Sequence, residues 1–266
     1  MSNPVRSSAA RITRTNRRNR TSSVPDRRRP VGLTSPQSAL ARAHAAIVAC
    51  NDCARLREYC ITIGRVKNAA HRNDDYWARP VPGFGDPGAR LLIIGLAPAA
   101  HGANRTGRMF TGDAPGGSGD FLMEAMHAHG FANQPTTRHK DDGLRLQDAF
   151  IAATVRCAPP DNRPTPREIG RCERHLDAEF DALPNVEVIV ALGRIAWDAT
   201  FRLLARRRGI ILRPRPAFAH GALVRVPQQL AVIGSFHPSR QNTNTGRLTQ
   251  RMLREVFARA RRQLGS

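Results

Sequence analysis

Four short runs of this chain are apolar almost without a break: "RLLIIG" at 90–95, "AFIAATV" at 149–155, "VIVALG" at 188–193 and "LAVIGSF" at 230–236. A strand with one wet face alternates apolar and polar residues; a strand apolar at nearly every position is covered on both faces. Helical segments separate the runs. One is expected near 118–130, with Ser118 as its N-cap and Gly130 as its stop. Another follows Thr165, with Pro166 at its first position, and others span 194–208 and 245–264. Ahead of the first strand, the spacing of Leu40, Ala43 and Ile47 predicts a helix over 38–60, and the Pro- and Gly-rich stretch 65–89 reads as a long loop. Strands spaced by helices give an α/β fold: a three-layer sandwich with a central, mainly parallel four-stranded sheet flanked by helices. In such sheets ligands gather at the carboxyl ends of the strands, so the loops after the first, second and fourth strands should converge on one site.

Two of those loops are rich in polar residues. The first, "GLAPAAHGANRTGRMFTGD" at 95–113, lacks helical periodicity and is longer than ordinary connections. The second, "HPSRQNTNTGRLT" at 237–249, begins with a histidine as the fourth strand ends and runs into a helix start, where backbone amides suit phosphate.

The cysteines are five: Cys50, Cys53, Cys60, Cys157 and Cys172. Cys50 and Cys53 form a CxxC, Cys157 ends the second strand, and Cys172 lies on the following helix. Four thiolates from two such clusters can hold zinc or an iron–sulfur cluster, whereas a lone CxxC is weak evidence. Buried, unligated thiols are the alternative. Cys60 reads as a packed thiol and a reserve ligand.

Charge narrows the partner. The chain of 266 residues carries a net +21, with 42 Lys and Arg against 21 Asp and Glu. That excess points to a polyanion, nucleic acid first. Residues 1–36 form a basic tail with few apolar residues, expected to be disordered, and residues 37–266 the folded domain. No apolar run reaches the roughly 20 residues of a membrane span. A monomeric, soluble, cytoplasmic and nucleoid-associated protein is expected. A non-catalytic iron–sulfur DNA-binding protein and a zinc-stabilised RNA-binding module both fit this charge and these cysteines.

The two polar loops together resemble the signature motifs of the uracil-DNA glycosylase superfamily, and their wording resembles its type 5 branch. Cys50, Cys53, Cys157 and Cys172 are similar to that branch's four ligands of a [4Fe–4S] cluster, and "VRCAPPDNRPTP" around Cys157 matches its style. The resemblance covers roughly residues 40–262. It implies excision of uracil from DNA, leaving an abasic site. Gly95, Ala97, His101 and Phe110 would wall the pocket for a flipped-out base, with Phe110 stacked on it, unless that ring is core packing. His237 would donate a hydrogen bond to the departing base, as either neutral imidazole or imidazolium. Ser239, Arg240 and Gln241 would belong to the loop that presses into the duplex.

Where other branches place an acidic or amide side chain to handle water, this chain has Leu96 and Ala97, as the type 5 branch does. Water handling then falls to Asn104, Asp113, His101 or backbone carbonyls, with Asn104 and Asp113 favoured. Many relatives carry a base-reading Asn on the second strand, where this chain has Ala152, Ala153 and Thr154. Without that amide the pocket should tolerate hypoxanthine and xanthine as well as uracil.

Overall fold

The computed structural model describes residues 35–112 and 115–265. Along the chain the elements are α1 (Pro36–Val48), α2 (Ala54–Val66), β1 (Phe84–Gly85), β2 (Leu91–Gly95), α3 (Ala103–Thr106), α4 (Ser118–His127), β3 (Ala149–Ala153), α5 (Pro166–Asp181), β4 (Val188–Leu192), α6 (Arg194–Arg208), β5 (Leu223–Val226), β6 (Leu230–Ser235), α7 (Arg240–Asn244) and α8 (Gln250–Gln263).

The four apolar runs become β2, β3, β4 and β6, every residue of which is buried. They are parallel and adjacent in the order β3-β2-β4-β6. The sheet has six strands rather than the expected four. β1 pairs antiparallel with β3 at one edge, and β5 pairs antiparallel with β6 at the other. Both edges escape a search for apolar runs for physical reasons. β1 is two residues inside the Pro- and Gly-rich stretch, and β5, "LVRV", leaves Arg225 exposed on its outer side.

Because side chains alternate across a strand, each run feeds two cores. Leu91, Ile93, Ile151, Val190 and Ile233 meet Leu122 and Met126 of α4 and Leu253 and Phe257 of α8 on one face. Leu92, Ile94, Phe150, Ile189 and Val232 meet Leu40 of α1, Leu176 and Phe180 of α5 and Trp197 of α6 on the other. Each such side chain contributes about 1.5–3 kcal/mol by leaving water. That is the expected three-layer sandwich.

The single helix expected over 38–60 is two. α1 starts at Pro36, capped by Ser35, whose hydroxyl accepts from the Ser38 amide, so Pro36 belongs to the fold rather than to the tail. It ends at Val48, and α2 begins only after Cys53. Asn51 breaks the run: its side-chain amide donates back to the Ala49 carbonyl, the local bond by which Asn competes with helix. Arg171 and Arg174 of α5 then hold the break, one through the Asp52 carbonyl and the other through its carboxylate. The CxxC therefore sits in a turn fixed against α5.

Two further boundaries shift slightly. Gly117, not Ser118, is the N-cap of α4, while Gly130 lies just beyond its end with φ 71°, the left-handed turn that suits glycine. The closing helix starts at Gln250, after the separate turn of α7. α5 keeps its expected start, with Thr165 and Glu168 in a reciprocal capping box; Glu168 also takes a two-pronged bond from Arg55 of α2. Residues 1–34, most of the proposed tail, and Asp113 lie outside the described residues. No helix among the described residues is long and apolar enough to cross a membrane.

Candidate functional site at the carboxyl ends of the strands

β2, β4 and β6 end side by side, and their exits meet. The Gly193 amide, after β4, donates to the Ser235 carbonyl at the end of β6 at 2.7 Å. A Cβ on Gly193 would lie 3.7 Å from that of His237. A Cβ on Gly95, at the end of β2, would come 3.2 Å from the Phe110 ring. The Phe110 and His237 rings stack, with centroids 5.8 Å apart and planes 29° apart. One column, Gly95–Phe110–His237, thus joins the two polar loops that the sequence places 142 positions apart at Gly95 and His237. Both rings are half-buried.

Burial pulls the His237 imidazole down to about 4, with no charged neighbour contributing, so the ring is neutral at pH 7. Its carbonyl accepts from the Asn242 side chain at 2.8 Å. Ser239 caps α7 by accepting from the Asn242 amide, while Arg240 and Gln241 are exposed at the start of that turn.

The first loop is cross-braced. Phe110 has φ 51°, a strained conformation for a bulky residue, and its carbonyl would be struck by any Cβ on Gly119. Beside it, buried Arg108 donates to both carboxylate oxygens of half-buried Asp142 at 2.8 Å, and to Thr111, Thr137 and the Lys140 carbonyl. Burial alone would raise the Asp142 carboxyl; the Leu144 amide and the Arg108 guanidinium overcome it and hold it below its ordinary value. Arg105 ties the His101 carbonyl to Asp74 and Gly112. Sequence reasoning missed Arg108 and Asp142: they are 34 residues apart, and no local pattern pairs them.

His101 shares a 2.8 Å hydrogen bond between its Nδ1 and the Tyr76 hydroxyl, and burial, with the charges of His71 and Arg105, lowers its pKa. Ala97 packs instead toward the cysteines. Asn104 is fully buried; its amide donates to the carbonyls of Cys60 and Ala100, and its Oδ1 has no hydrogen-bond partner among the described residues. At the end of β3, Ala153 offers no polar group, and Thr154 donates its hydroxyl to the Gly95 carbonyl. A second support that sequence reasoning missed lies next to His237. The Phe236 ring stacks on His220 at 5.1 Å, and the Arg247 guanidinium lies 4.7 Å from its centroid.

All five cysteines are free thiols. Cys50, Cys53, Cys157 and Cys172 line one pocket with Leu56, Arg57, Arg156 and His175. The Arg156 amide donates to Cys172 Sγ at 3.3 Å, and Arg174 donates to Cys50 Sγ at 3.4 Å. Burial pushes the Cys172 thiol up to about 12; the hydrogen bond that Cys157 donates to Cys60, then burial, push Cys157 up as well. Cys60 lies behind Cys157, its thiol on the Ala158 carbonyl. As they stand, no three metal-ligating side chains among the described residues form a group that could hold a metal ion.

Known proteins share this chain's pattern. The family model described as the uracil DNA glycosylase superfamily matches residues 82–261. A type-5 uracil-DNA glycosylase of Thermus thermophilus is 49% identical, over 82% of this chain and 95% of that protein. One of Mycobacterium bovis is 44% identical, over 88% and 85% respectively. A type-4 uracil-DNA glycosylase of Archaeoglobus fulgidus is 30% identical over 60% of this chain and 70% of its own length. A family match across most of the fold, and close relatives spanning nearly their whole length, place the two motif loops and their strands in one lineage: this chain belongs to the uracil-DNA glycosylase superfamily, in its type 5 branch.

Proposed function

We propose that this chain is a DNA repair enzyme that hydrolyses the N-glycosidic bond of uracil in DNA, and of other deaminated bases such as hypoxanthine and xanthine, leaving an abasic site. The observation that carries the proposal is the stack of Phe110 on His237 above Gly95, at the carboxyl ends of the strands. A glycosylase must take the base out of the helix and stabilise it as it leaves with negative charge. In this reading Phe110 offers its face to the flipped base, and the small Gly95 leaves that ring its place. His237, neutral at pH 7, donates a hydrogen bond to the departing base as an imidazole.

Asn104 Oδ1, a buried acceptor without a partner, supports a role for that residue in holding the attacking water, a role Asp113 shares in this proposal. His101 lines the pocket wall, Ala97 backs it from the side of the cysteines, and Ser239 shapes the turn that carries Arg240 and Gln241 into the duplex. The apolar Ala153 and the engaged Thr154 hydroxyl favour a pocket that tolerates several deaminated bases.

A [4Fe–4S] cluster held by Cys50, Cys53, Cys157 and Cys172 belongs to the same proposal. The donor set fits: four thiols from the α1–α2 turn, the β3 exit and α5 line one pocket, and two of their sulfurs already accept N–H bonds. Such a cluster would supply a structural cross-link, not a step of the reaction. The protein would act as a cytoplasmic, nucleoid-associated monomer. The test incubates purified protein with duplexes carrying uracil, hypoxanthine or a thymine mismatch, then cleaves abasic sites with alkali. Strand scission at uracil and hypoxanthine is expected. Binding to every duplex without scission would overturn the enzymatic reading in favour of a non-catalytic DNA-binding protein.

A further inference from the structure

Buried polar atoms are nearly always hydrogen-bonded, and those that are not ask for an explanation. Among the described residues nine buried side-chain nitrogens or oxygens have no hydrogen-bond partner, and five of them are Nε and Nη1 of Arg57, Nε and Nη1 of Arg156, and Nε2 of His175. All three residues line the pocket of the four cysteines. Each is anchored from outside that pocket or by its element. Arg57 donates Nη2 to the Ala78 carbonyl, Arg156 donates Nη2 to buried Glu179, and His175 lies on α5 one turn after Cys172. The orphan nitrogens therefore concentrate where four thiols concentrate, and no hydrogen bond among the described residues satisfies them.

A guanidinium is a donor without acceptor capacity. What completes two of them is an acceptor inside the pocket, and sulfur-bearing anions are such acceptors. We propose, resting on the cluster reading above, that Arg57, Arg156 and His175 form a collar of N–H donors to the sulfurs of the iron–sulfur cluster, holding it in place and stabilising its negative charge. Hydrogen bonds to the sulfurs and nearby positive charge are what tune such a group. Arg156 also neutralises Glu179, which is buried and accepts from the Gly83 amide, so its loss would leave a bare buried carboxylate. Arg57 and His175 carry no such second duty and are the residues to change.

The experiment compares Arg57→Met, Arg57→Lys and His175→Leu with wild type, and with Arg65→Gln, an exposed charge removed from the same helix α2. Far-UV circular dichroism establishes folding; iron and acid-labile sulfide per chain, cluster lifetime in air and reduction potential are then measured. Arg57→Met and His175→Leu are expected to fold, to lose the cluster several-fold faster in air and to shift the potential negative, because stabilisation of the more negative state is lost. Arg57→Lys should fall between them and wild type, and Arg65→Gln should match wild type. Wild-type lifetime and potential in both Arg57→Met and His175→Leu would overturn the collar while leaving the cluster reading intact. Wild-type protein without sulfide would overturn the cluster reading, and the collar with it.

Discussion

The two motif loops reach the same column of rings, yet they are held in different ways. The loop from Gly95 to Gly112 is anchored at a distance: Arg108 reaches Asp142 and Thr137, Arg105 reaches Asp74, and Asn104 reaches the Cys60 carbonyl. The loop from His237 to Thr249 is held mostly by itself, through Ser239 to Asn242, Asn242 to His237 and Thr245 to Gln241. Its tip, Arg240 and Gln241, is exposed. Segments with few buried contacts and solvent-facing hydrogen bonds open easily; segments tied into the core do not. The first loop is built as a fixed wall that keeps Phe110 in a strained backbone state, and the second as a surface turn held by its own hydrogen bonds.

If that contrast is right, cutting the anchor of the wall is the most costly change. Asp142→Ala leaves the buried Arg108 guanidinium without its carboxylate, a loss of up to about 3–5 kcal/mol that its bonds to Thr111, Thr137 and the Lys140 carbonyl soften. Urea unfolding should show that loss, and base release at saturating enzyme should fall with it as Phe110 relaxes out of its left-handed conformation. Unfolding at the wild-type midpoint would mean that the wall does not depend on the ion pair. Next in size is the column itself. Removing one preorganised donor typically slows a reaction by about 100–1000-fold. His237→Ala should slow base release by that much in single-turnover assays, with duplex binding retained. A near-normal rate would remove the residue on which the proposed chemistry rests.

Much of this architecture is legible in the sequence because it is local. All-apolar runs specify buried parallel strands, and a Thr-Pro pair followed by Glu168 specifies the start of α5. What is illegible is what depends on distance. β1 and β5 gain their strand character from the neighbours they pair with, and the bond between Arg108 and Asp142 spans two loops. The α1–α2 break is hidden for a different reason. Apolar spacing through Ile47 extends past Asn51 without interruption to the eye, while the Asn side chain competes for the backbone. The stacking of Phe110 on His237 follows from strand order, which no pairwise spacing in the sequence encodes.

A smaller effect separates the self-held loop from the wall. Asn242→Ala removes one hydrogen bond, to the His237 carbonyl, worth about 0.5–1.5 kcal/mol. Global stability should change by no more than that, and base release should slow by about tenfold at most, in keeping with 1.4 kcal/mol per tenfold. A loss as large as that of Asp142→Ala would show that the second loop is as structurally committed as the first.

The smallest expected effect is on pH dependence between 6 and 8, and it distinguishes the two forms of His237. Burial holds its folded pKa at about 4, below the ordinary 6.5. Above pH 6.5 the imidazole is neutral in both folded and unfolded chains, so its protonation leaves stability unaffected there. As pH falls from 6.5 toward 4, the unfolded chain binds a proton that the folded chain refuses, and stability declines. A neutral donor therefore predicts a single-turnover rate that is flat from pH 8 down to about 6, with unfolding midpoints that drop only in the acid range. A cationic donor predicts instead a rate that falls steadily from pH 6 to 8, as the protonated fraction shrinks. Measuring base release at saturating enzyme across that range, in wild type and in His237→Gln, decides between them: only a charge on His237 would give a neutral-pH slope that the Gln variant lacks.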